Sequence, residues 1–238
     1  NGNTFTVNNL TSIDQSTDYP EVNFATWSPL FGGNAQYATF SEGNLKLTGN
    51  NNSNAGSNLN STIAASSGKY YMEIKVIDIQ GNSYPSLGVM MEDDVYISLG
   101  QVGGNPNSVS YGPGGQKNIN GNTSSYGDTF TDNDIIGIAL DLDNGAVYYS
   151  KNGTFQASGD PTSGSSRTNA AYTFTASSKV YYFAATVYTS TAIISANFGS
   201  PAYAISSGNT DGNGYGNFEY AVPSGYYALN TANLAEFG

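Results

Sequence analysis

The sequence contains no cysteine and no histidine. Without cysteine, the chain cannot form disulfide bonds, thiolate zinc sites or a thiol nucleophile. Without histidine, it lacks the usual general base, the usual partner of a serine nucleophile and the commonest protein ligand for zinc and copper. The most frequent routes to an enzyme active site or a transition-metal site are therefore closed.

Charge is scarce, and most of it is acidic. Lys and Arg number 7 against 18 Asp and Glu, which gives a formal net charge of −11 and a pI near 4.1. Such a surface repels phosphate backbones and anionic lipids, so we expect no nucleic-acid partner and no membrane partner. Asn, Ser, Thr, Gly and Tyr are abundant, and this neutral polar composition predicts a protein that works outside cells.

Long apolar runs are also missing. No stretch approaches the ~18–20 apolar residues of a membrane-spanning helix. The first residues, NGNTF, include no starting Met and no basic-then-apolar signal. We expect that the chain has been processed or belongs to something longer.

Helical periodicity is replaced by period-two alternation, which is typical of strands. In residues 70–76, Tyr70, Met72, Ile74 and Val76 share one face. Residues 180–188 are apolar on both faces, which predicts a central strand, and residues 192–198 are predicted to be its hairpin partner. No repeat of 20–50 residues supports a solenoid. Many short strands between turn signals predict an antiparallel sandwich or barrel.

The segment IIGIALDLDNGAVYYSKNG (residues 135–153) predicts a hairpin. A type I′ turn at Asn144-Gly145 would pair Asp143 with Ala146 and place the apolar side chains on one face. Asp141 and Asp143 then lie on the opposite face, where turn chemistry is favoured over a metal site. Asn152-Gly153 predicts a second turn. The predicted apolar face contains Ile136, Ile138, Leu140, Leu142, Val147 and Tyr149.

Several linked segments form a recognisable pattern: GKYYMEIKV with LGVM, the central stretch from residue 111 to 137, the hairpin of residues 135–153, and the closing pair of residues 180–199, which ends in Asn-Phe-Gly. Together these segments resemble the SPRY domain family. Two positions depart from the family pattern. Asn133 stands where glycine is usual, and Met72 where a large aromatic residue is common; asparagine tolerates positive φ and methionine fills core space.

Two flanking segments, FTVNNLTSIDQSTDYPEVNFATWSPL near the start and GNTDGNGYGNFEYAVPSGYYALNTANL near the end, look like the version of this domain found in tailed-phage structural proteins. The resemblance implies an all-β, single concanavalin A-like sandwich of two bent antiparallel sheets with very little helix. Residues 1–238 are predicted to form one domain. Residues 1–39 would supply entering strands, residues 40–200 the SPRY-like core, and residues 201–238 a C-terminal loop and closing segment.

By this resemblance, the function would be that of a non-enzymatic structural or binding module of a virion: a fibre, adhesin or decoration protein. It would lie on the virion surface or outside cells, and present loops 77–86, 100–126 and 157–171. Its partners would be other virion proteins, or a host-surface protein or glycan, with a homo-oligomer as a further option. The alternative is a carbohydrate-binding module of a bacterial secreted or surface protein, which predicts a concave, Tyr-lined sheet face.

Four residues in or beside Gly- and Pro-rich loops are candidate ligand contacts: Tyr84, Tyr111, Lys117 and Tyr126. An exposed tyrosine can stack on a sugar ring or pack against a protein partner. Each tyrosine can equally cap the sandwich core with its hydroxyl group in water. The GPGG stretch before Lys117 opens no helix, so we interpret it as a loop and not as a phosphate site.

The acidic residues do not predict catalysis. A glycoside hydrolase, the third hypothesis, needs two carboxylates facing one cleft. Glu73 alternates with Lys75 and not with a second acid. Asp141 and Asp143 do alternate, but the turn of the 135–153 hairpin explains them. Asp211 and Asn213 are spaced like calcium ligands, but only one of them is a carboxylate. We therefore predict no catalytic residue, no metal ligand and no cofactor, with a structural calcium ion at Asp211 as the unfavoured alternative.

Overall fold

The computed structural model describes residues 19, 21–30, 38–50, 57–79, 85–95, 100–176, 179–188 and 192–238. Its strands form two sheets. The first follows the order β1 (Ala38–Ser41), β2 (Lys46–Gly49), β14 (Ile193–Asn197), β4 (Lys69–Asp78), β9 (Ile135–Asp141), β10 (Ala146–Lys151) and β11 (Thr154–Phe155), with β12 (Tyr172–Thr173) beside β10 and β15 (Tyr227–Ala228) beside β4. The second follows the order β3 (Ser57–Asn60), β13 (Tyr181–Val187), β5 (Ser86–Met91), β6 (Ser108–Tyr111), β7 (Gln116–Ile119) and β8 (Asn122–Ser125).

Among the described residues, helix is limited to α1 (Glu92–Val95), α2 (Thr231–Phe237) and short 3₁₀ turns at residues 156–158 and 164–166. Neither α-helix approaches the length of a membrane span, and the described residues contain no other candidate. Apart from the parallel contact between β15 and β4, the ladders are antiparallel. The predicted all-β sandwich with very little helix is confirmed.

The core lies between the two sheets. Four alternate side chains of β4, from Tyr70 to Val76, are fully buried in one cluster, as the sequence pattern predicts. They meet the inward face of β13, from Tyr181 to Val187, in the same cluster. Trp27 closes this core with no exposed surface, and its ring meets that of Phe198 edge-on at 5.2 Å. Burial of these large side chains supplies the main stabilisation of the fold.

The hairpin of residues 135–153 has the predicted faces but not the predicted register. Ala146 pairs with Asp141 and Val147 with Leu140, so four residues form the turn where two were predicted. The slip is two residues, and because side chains alternate with a period of two, every residue keeps its face. Asn144 is not in the left-handed region, whereas Gly145 has φ 70°. The predicted two-residue turn is therefore wrong there.

The second Asn-Gly pair does form a two-residue turn. Asn152 and Gly153 have φ values of 48° and 81°. Lys151 pairs with Thr154 across the turn, as predicted. The first pair differs because the Asp141 carboxylate accepts hydrogen bonds from both the backbone N–H and the side-chain amide of Asn144. These bonds stabilise the wider turn.

We expect Gly153→Ala to lower the free energy of unfolding by about 2 kcal/mol. A left-handed alanine is strained by roughly 1 kcal/mol, and the added Cβ would lie 2.6 Å from the Tyr220 ring. Gly43→Ala is the matched control, since Gly43 has φ 65° but open space around it. Urea unfolding of both variants measures the difference. Equal losses would show that the Tyr220 contact contributes nothing.

The predicted pairing of residues 180–188 with residues 192–198 is wrong. β13 lies in the second sheet between β3 and β5, and β14 lies in the first sheet between β2 and β4. The chain therefore crosses from one sheet to the other. Local alternation is the same in a hairpin partner and in a strand of the opposite sheet, so the sequence pattern does not separate these two arrangements.

The chain's own ends cover the outer face of the first sheet. Val22 and Phe24 from the N-terminal part, with Phe218 and Tyr226 from the C-terminal part, are buried against the outward residues of β4, β9 and β10. The Tyr71 ring meets the Phe218 ring edge-on at 5.4 Å. The first sheet is therefore buried on both faces in this region, and the second sheet carries the more open outer surface.

Candidate functional site

The outer face of the second sheet carries a cleft of about 310 Å³, which we call the amide cleft. Three of its residues form one cross-strand row, because Ser110 pairs with Asn118 and Asn118 with Thr123. Its lining contains amides and hydroxyls but no ionisable side chain, and therefore suits a neutral polar ligand. The lining residues are Ser86, Gln101, Ser110, Gly112, Gln116, Asn118 and Thr123.

One wall of the amide cleft is the loop of residues 100–105, which lies across the sheet. Val102 is fully buried against Met90 and Ala184, and its N–H donates to Thr186 Oγ1 at 2.8 Å. At Gly103 an added Cβ would lie 2.4 Å from the Asn118 carbonyl oxygen. Because only glycine permits this approach, the loop can sit directly on β7.

A second depression of about 470 Å³, the edge hollow, lies between residues 125–128 and residues 154–158. Gln156 connects its two sides: Oε1 accepts from the Asp128 N–H at 2.7 Å, and Nε2 donates to the Thr154 carbonyl at 2.9 Å. Ala157 and Ser158 have φ values of 53° and 57°. Two consecutive left-handed non-glycine residues are a strained arrangement that concentrates at functional sites.

The structure brings three of the four predicted ligand contacts together. Tyr126 is half-buried and borders the edge hollow. The Lys117 ammonium lies 5.4 Å from the centroid of the Tyr126 ring and donates to the Ala171 carbonyl at 2.7 Å. Tyr111 has no exposed surface, and its hydroxyl donates to the Asp128 carbonyl. Tyr111 therefore supports this region from within the core, and Tyr84 lies outside the described residues.

Burial controls the ionisation of these groups. It raises the pKa of Tyr126 to about 12 and raises the pKa of Tyr111, to which the nearby Asp128 charge adds. Burial also lowers the pKa of Lys117. Both tyrosines are therefore neutral at physiological pH and act as aromatic surfaces and hydrogen-bonding groups.

Glu73 is a feature that sequence reasoning missed. Its alternation with Lys75 gives no sign of burial, yet Glu73 has no exposed surface. Oε2 accepts from the Glu219 N–H at 2.9 Å, and Oε1 accepts from the Tyr220 N–H at 2.8 Å. Tyr71 and Asn197 donate two longer bonds. Desolvation raises the pKa of Glu73, while these hydrogen bonds oppose the shift.

Asp211 binds protein donors with both carboxylate oxygens. Oδ1 accepts from the N–H groups of Asn213 and Tyr215, each at 2.9 Å. Oδ2 accepts from the Ala228 N–H at 2.9 Å and from the Asn233 side-chain amide at 2.8 Å. Backbone and amide N–H groups are not calcium ligands. The carboxylate therefore orders the loop and connects it to α2.

The two hairpin aspartates also bind locally. Lys69 Nζ lies 3.1 Å from Asp141 Oδ2, and Asp143 Oδ1 accepts from the Gly68 N–H at 2.8 Å. In the part of the chain that the structure describes, no three acidic side chains come together as metal ligands. These aspartates hold the start of β4 against the turn.

Comparisons with known proteins agree with this architecture. The SPRY domain family matches residues 69–201, more than half of the chain. A Drosophila melanogaster "Ran-binding proteins 9/10 homolog" is 30% identical over 57% of the chain, and the zebrafish "Ran-binding protein 10" is 30% identical over the same share. These matches span only 15% and 24% of the relatives' own lengths. The solved SPRY domain of human HERC1 has a TM-score of 0.52 at 17% identity, and the match covers 70% of this chain and 94% of that domain.

The predicted location on a virion surface or outside cells is wrong. The curated relatives are Ran-binding proteins of a fly and a fish by name, and they give no support to a tailed-phage origin. The virion location follows from the resemblance of the flanking segments, and the location outside cells from a composition rich in tyrosine and poor in charge. Many of the tyrosines instead fill the interior, and those without exposed surface include Tyr70, Tyr111, Tyr148 and Tyr149. Tyrosine content therefore reports core packing in this chain and does not indicate a compartment.

SPRY domains are protein-interaction modules, and the curated relatives are binding proteins by name. The matched residues contain the central strands of both sheets: β14, β4, β9 and β10 of the first, and β13, β5 and β6 of the second. They also contain the amide cleft and the edge hollow. The chain belongs to the SPRY domain family.

Proposed function

We propose that this chain is a non-enzymatic protein-binding module that receives its partner at the amide cleft and the edge hollow. The observation that carries this proposal is the difference between the two outer faces. The chain's own ends cover the outer face of the first sheet. The amide cleft instead opens on the outer face of the second sheet, and the edge hollow opens between the second sheet's edge and β11. Residues 1–238 would then act as one domain, since the described parts of both ends pack on the sandwich.

The chemistry of the two hollows supports binding over catalysis. The amide cleft has no ionisable lining residue that could serve as a general acid or base. The buried carboxylates Glu73 and Asp211 have both oxygens occupied by N–H donors and face the C-terminal segment. In the edge hollow, Tyr126 and Phe155 offer partly buried aromatic surface, and Lys117 supports the Tyr126 ring.

A glycan partner has weaker support. A carbohydrate-binding module predicts a Tyr-lined sheet face, whereas the lining of the amide cleft contains no aromatic residue, and Tyr126 and Phe155 lie at the edge hollow and not on that face. Amides and hydroxyls without a stacking surface match the edges of a peptide backbone and its polar side chains. We therefore propose a protein partner.

A display library of random peptides and a glycan array, both probed with the purified full chain, test the proposal. We expect peptide ligands with micromolar dissociation constants whose binding falls at least tenfold in Thr123→Arg, because this residue lies at the mouth of the amide cleft. Thr39→Arg is the matched control: it lies on β1, is also exposed, and belongs to the other sheet. Glycan binding without peptide binding would contradict the proposal.

A further inference from the structure

We propose that β8 is an acceptor edge to which an extended polar peptide with few acidic residues adds as a further strand of the second sheet. This inference rests on the proposed protein-binding function and names the class of partner. Strand addition uses main-chain hydrogen bonds for affinity and alternate side chains for selectivity. Four observations support it: the backbone of β8, its exposure, its position between the two hollows, and its charge.

The backbone of β8 has a free side. Asn120 and Gly121 have φ values of 52° and 79°, and Ile119 pairs with Asn122 across this two-residue turn. Such a turn closes on a hydrogen-bonded pair, after which bonded and non-bonded pairs alternate. The hydrogen bond from the Tyr126 N–H to the Gly115 carbonyl, at 3.0 Å, fits this alternation, because Tyr126 is an even number of residues from Asn122. The N–H and C=O groups of residues 123 and 125 therefore point away from β7.

β8 is an unprotected edge. It ends the order of the second sheet, and among the strands that the structure describes it alone has every residue exposed. Natural edges are shielded by charge, proline, bulges or covering segments. The sequence of β8, Asn-Thr-Ser-Ser, has no charge and no proline. The opposite edge, β3, is covered instead: the Ser28 N–H donates to the Asn60 carbonyl at 2.8 Å.

β8 also borders both hollows. Thr123 lines the amide cleft and Ser125 lines the edge hollow. A residue placed opposite Thr123 would extend the row of Ser110, Asn118 and Thr123, where neutral hydrogen-bonding side chains are favourable partners.

Charge and size favour a peptide over a second copy of the chain. Two copies would each carry a formal charge of −11, and a four-residue strand offers too little area for a stable dimer, which buries about 1,200–2,000 Å². Asp128 lies exposed just beyond β8. The favoured peptide therefore has Asn, Gln, Ser or Thr facing the amide cleft, a Lys or Arg near Asp128, and few acidic residues.

The test uses the full chain and the peptides selected from the random library. We expect N-methylation of alternate peptide residues to weaken binding at least tenfold in one register and less than twofold in the other, because only every second N–H faces the edge. Amide hydrogen exchange at residues 123 and 125 should slow on binding. Thr123→Pro, which removes an outward N–H but no bond to β7, should weaken binding at least tenfold, while Thr123→Val retains it.

The outcomes separate the two proposals. Peptides that bind the wild-type chain but are indifferent to N-methylation in either register would overturn strand addition and leave the protein-binding function standing. That arm needs no protein variant, so it remains decisive if Thr123→Pro does not fold. A library that yields no peptide ligand would overturn both proposals.

Discussion

Replacing Glu73 by leucine is expected to lower the free energy of unfolding by about 3–5 kcal/mol. Leucine fills similar space but accepts no hydrogen bond, so the N–H groups of Glu219 and Tyr220 would lose their partner in the interior, as would the Asn197 amide. Each unsatisfied buried donor costs about 1–3 kcal/mol. The measurement is urea unfolding of the full chain, monitored by circular dichroism.

The loss should also depend on pH. Burial raises the pKa of Glu73 above its usual value of 4.5, so the folded state holds this proton more tightly than the unfolded state. The stability that protonation contributes is present in full below 4.5 and is lost as pH rises through the folded-state pKa. The difference between wild type and Glu73→Leu should therefore be larger at pH 4 than at pH 7.

Glu21→Leu is the control for this experiment. Glu21 is exposed, and exposed substitutions usually change stability by no more than about 0.5 kcal/mol. Charges remote from both sites contribute equally to the wild type and the variants, so they cancel in the comparison. A loss at Glu73 as small as that at Glu21, or one that grows as pH rises, would contradict the assigned role.

Glu73 also marks the limit of what local sequence patterns can predict. The alternation in β4 correctly placed Tyr70, Met72 and Ile74 in the core, because a period of two depends only on neighbouring residues. It gave no indication that the opposite face would also be covered. The donors to Glu73 come from 146 and 147 positions further along the chain, and no local pattern carries that information.

At the candidate site, too, local sequence patterns predict some features and miss others. The predicted contact loop of residues 100–126 does contain most of the amide cleft, but Tyr111 within it is buried. The residues that pair across strands, such as Asn118 and Thr123, have no apolar alternation that would mark them as strand residues. Their one local signal is Asn120-Gly121, a turn dipeptide of the same type as Asn152-Gly153. Sequence reasoning noted the tyrosines of this region and missed the edge strand between them.

The covering of the first sheet by the C-terminal segment can also be tested at Asp211. We expect Asp211→Ala to lower the free energy of unfolding by about 2–4 kcal/mol, because four N–H donors lose their acceptor and three of them belong to the backbone. Asp211→Asn should lose about half as much, since it keeps one carbonyl oxygen. Asp128→Ala, an exposed aspartate, is the control and should stay within about 0.5 kcal/mol.

The same variants distinguish a hydrogen-bonded carboxylate from a calcium ligand. Because both oxygens of Asp211 already accept N–H bonds, the unfolding midpoint of the wild type should not change between excess calcium and a chelator. Hydrogen exchange in Asp211→Ala should accelerate first in β15 and α2, which the carboxylate holds through Ala228 and Asn233. Calcium-dependent stability that disappears in Asp211→Ala would contradict this account, since a bound ion would then replace the N–H donors as the element that orders the loop.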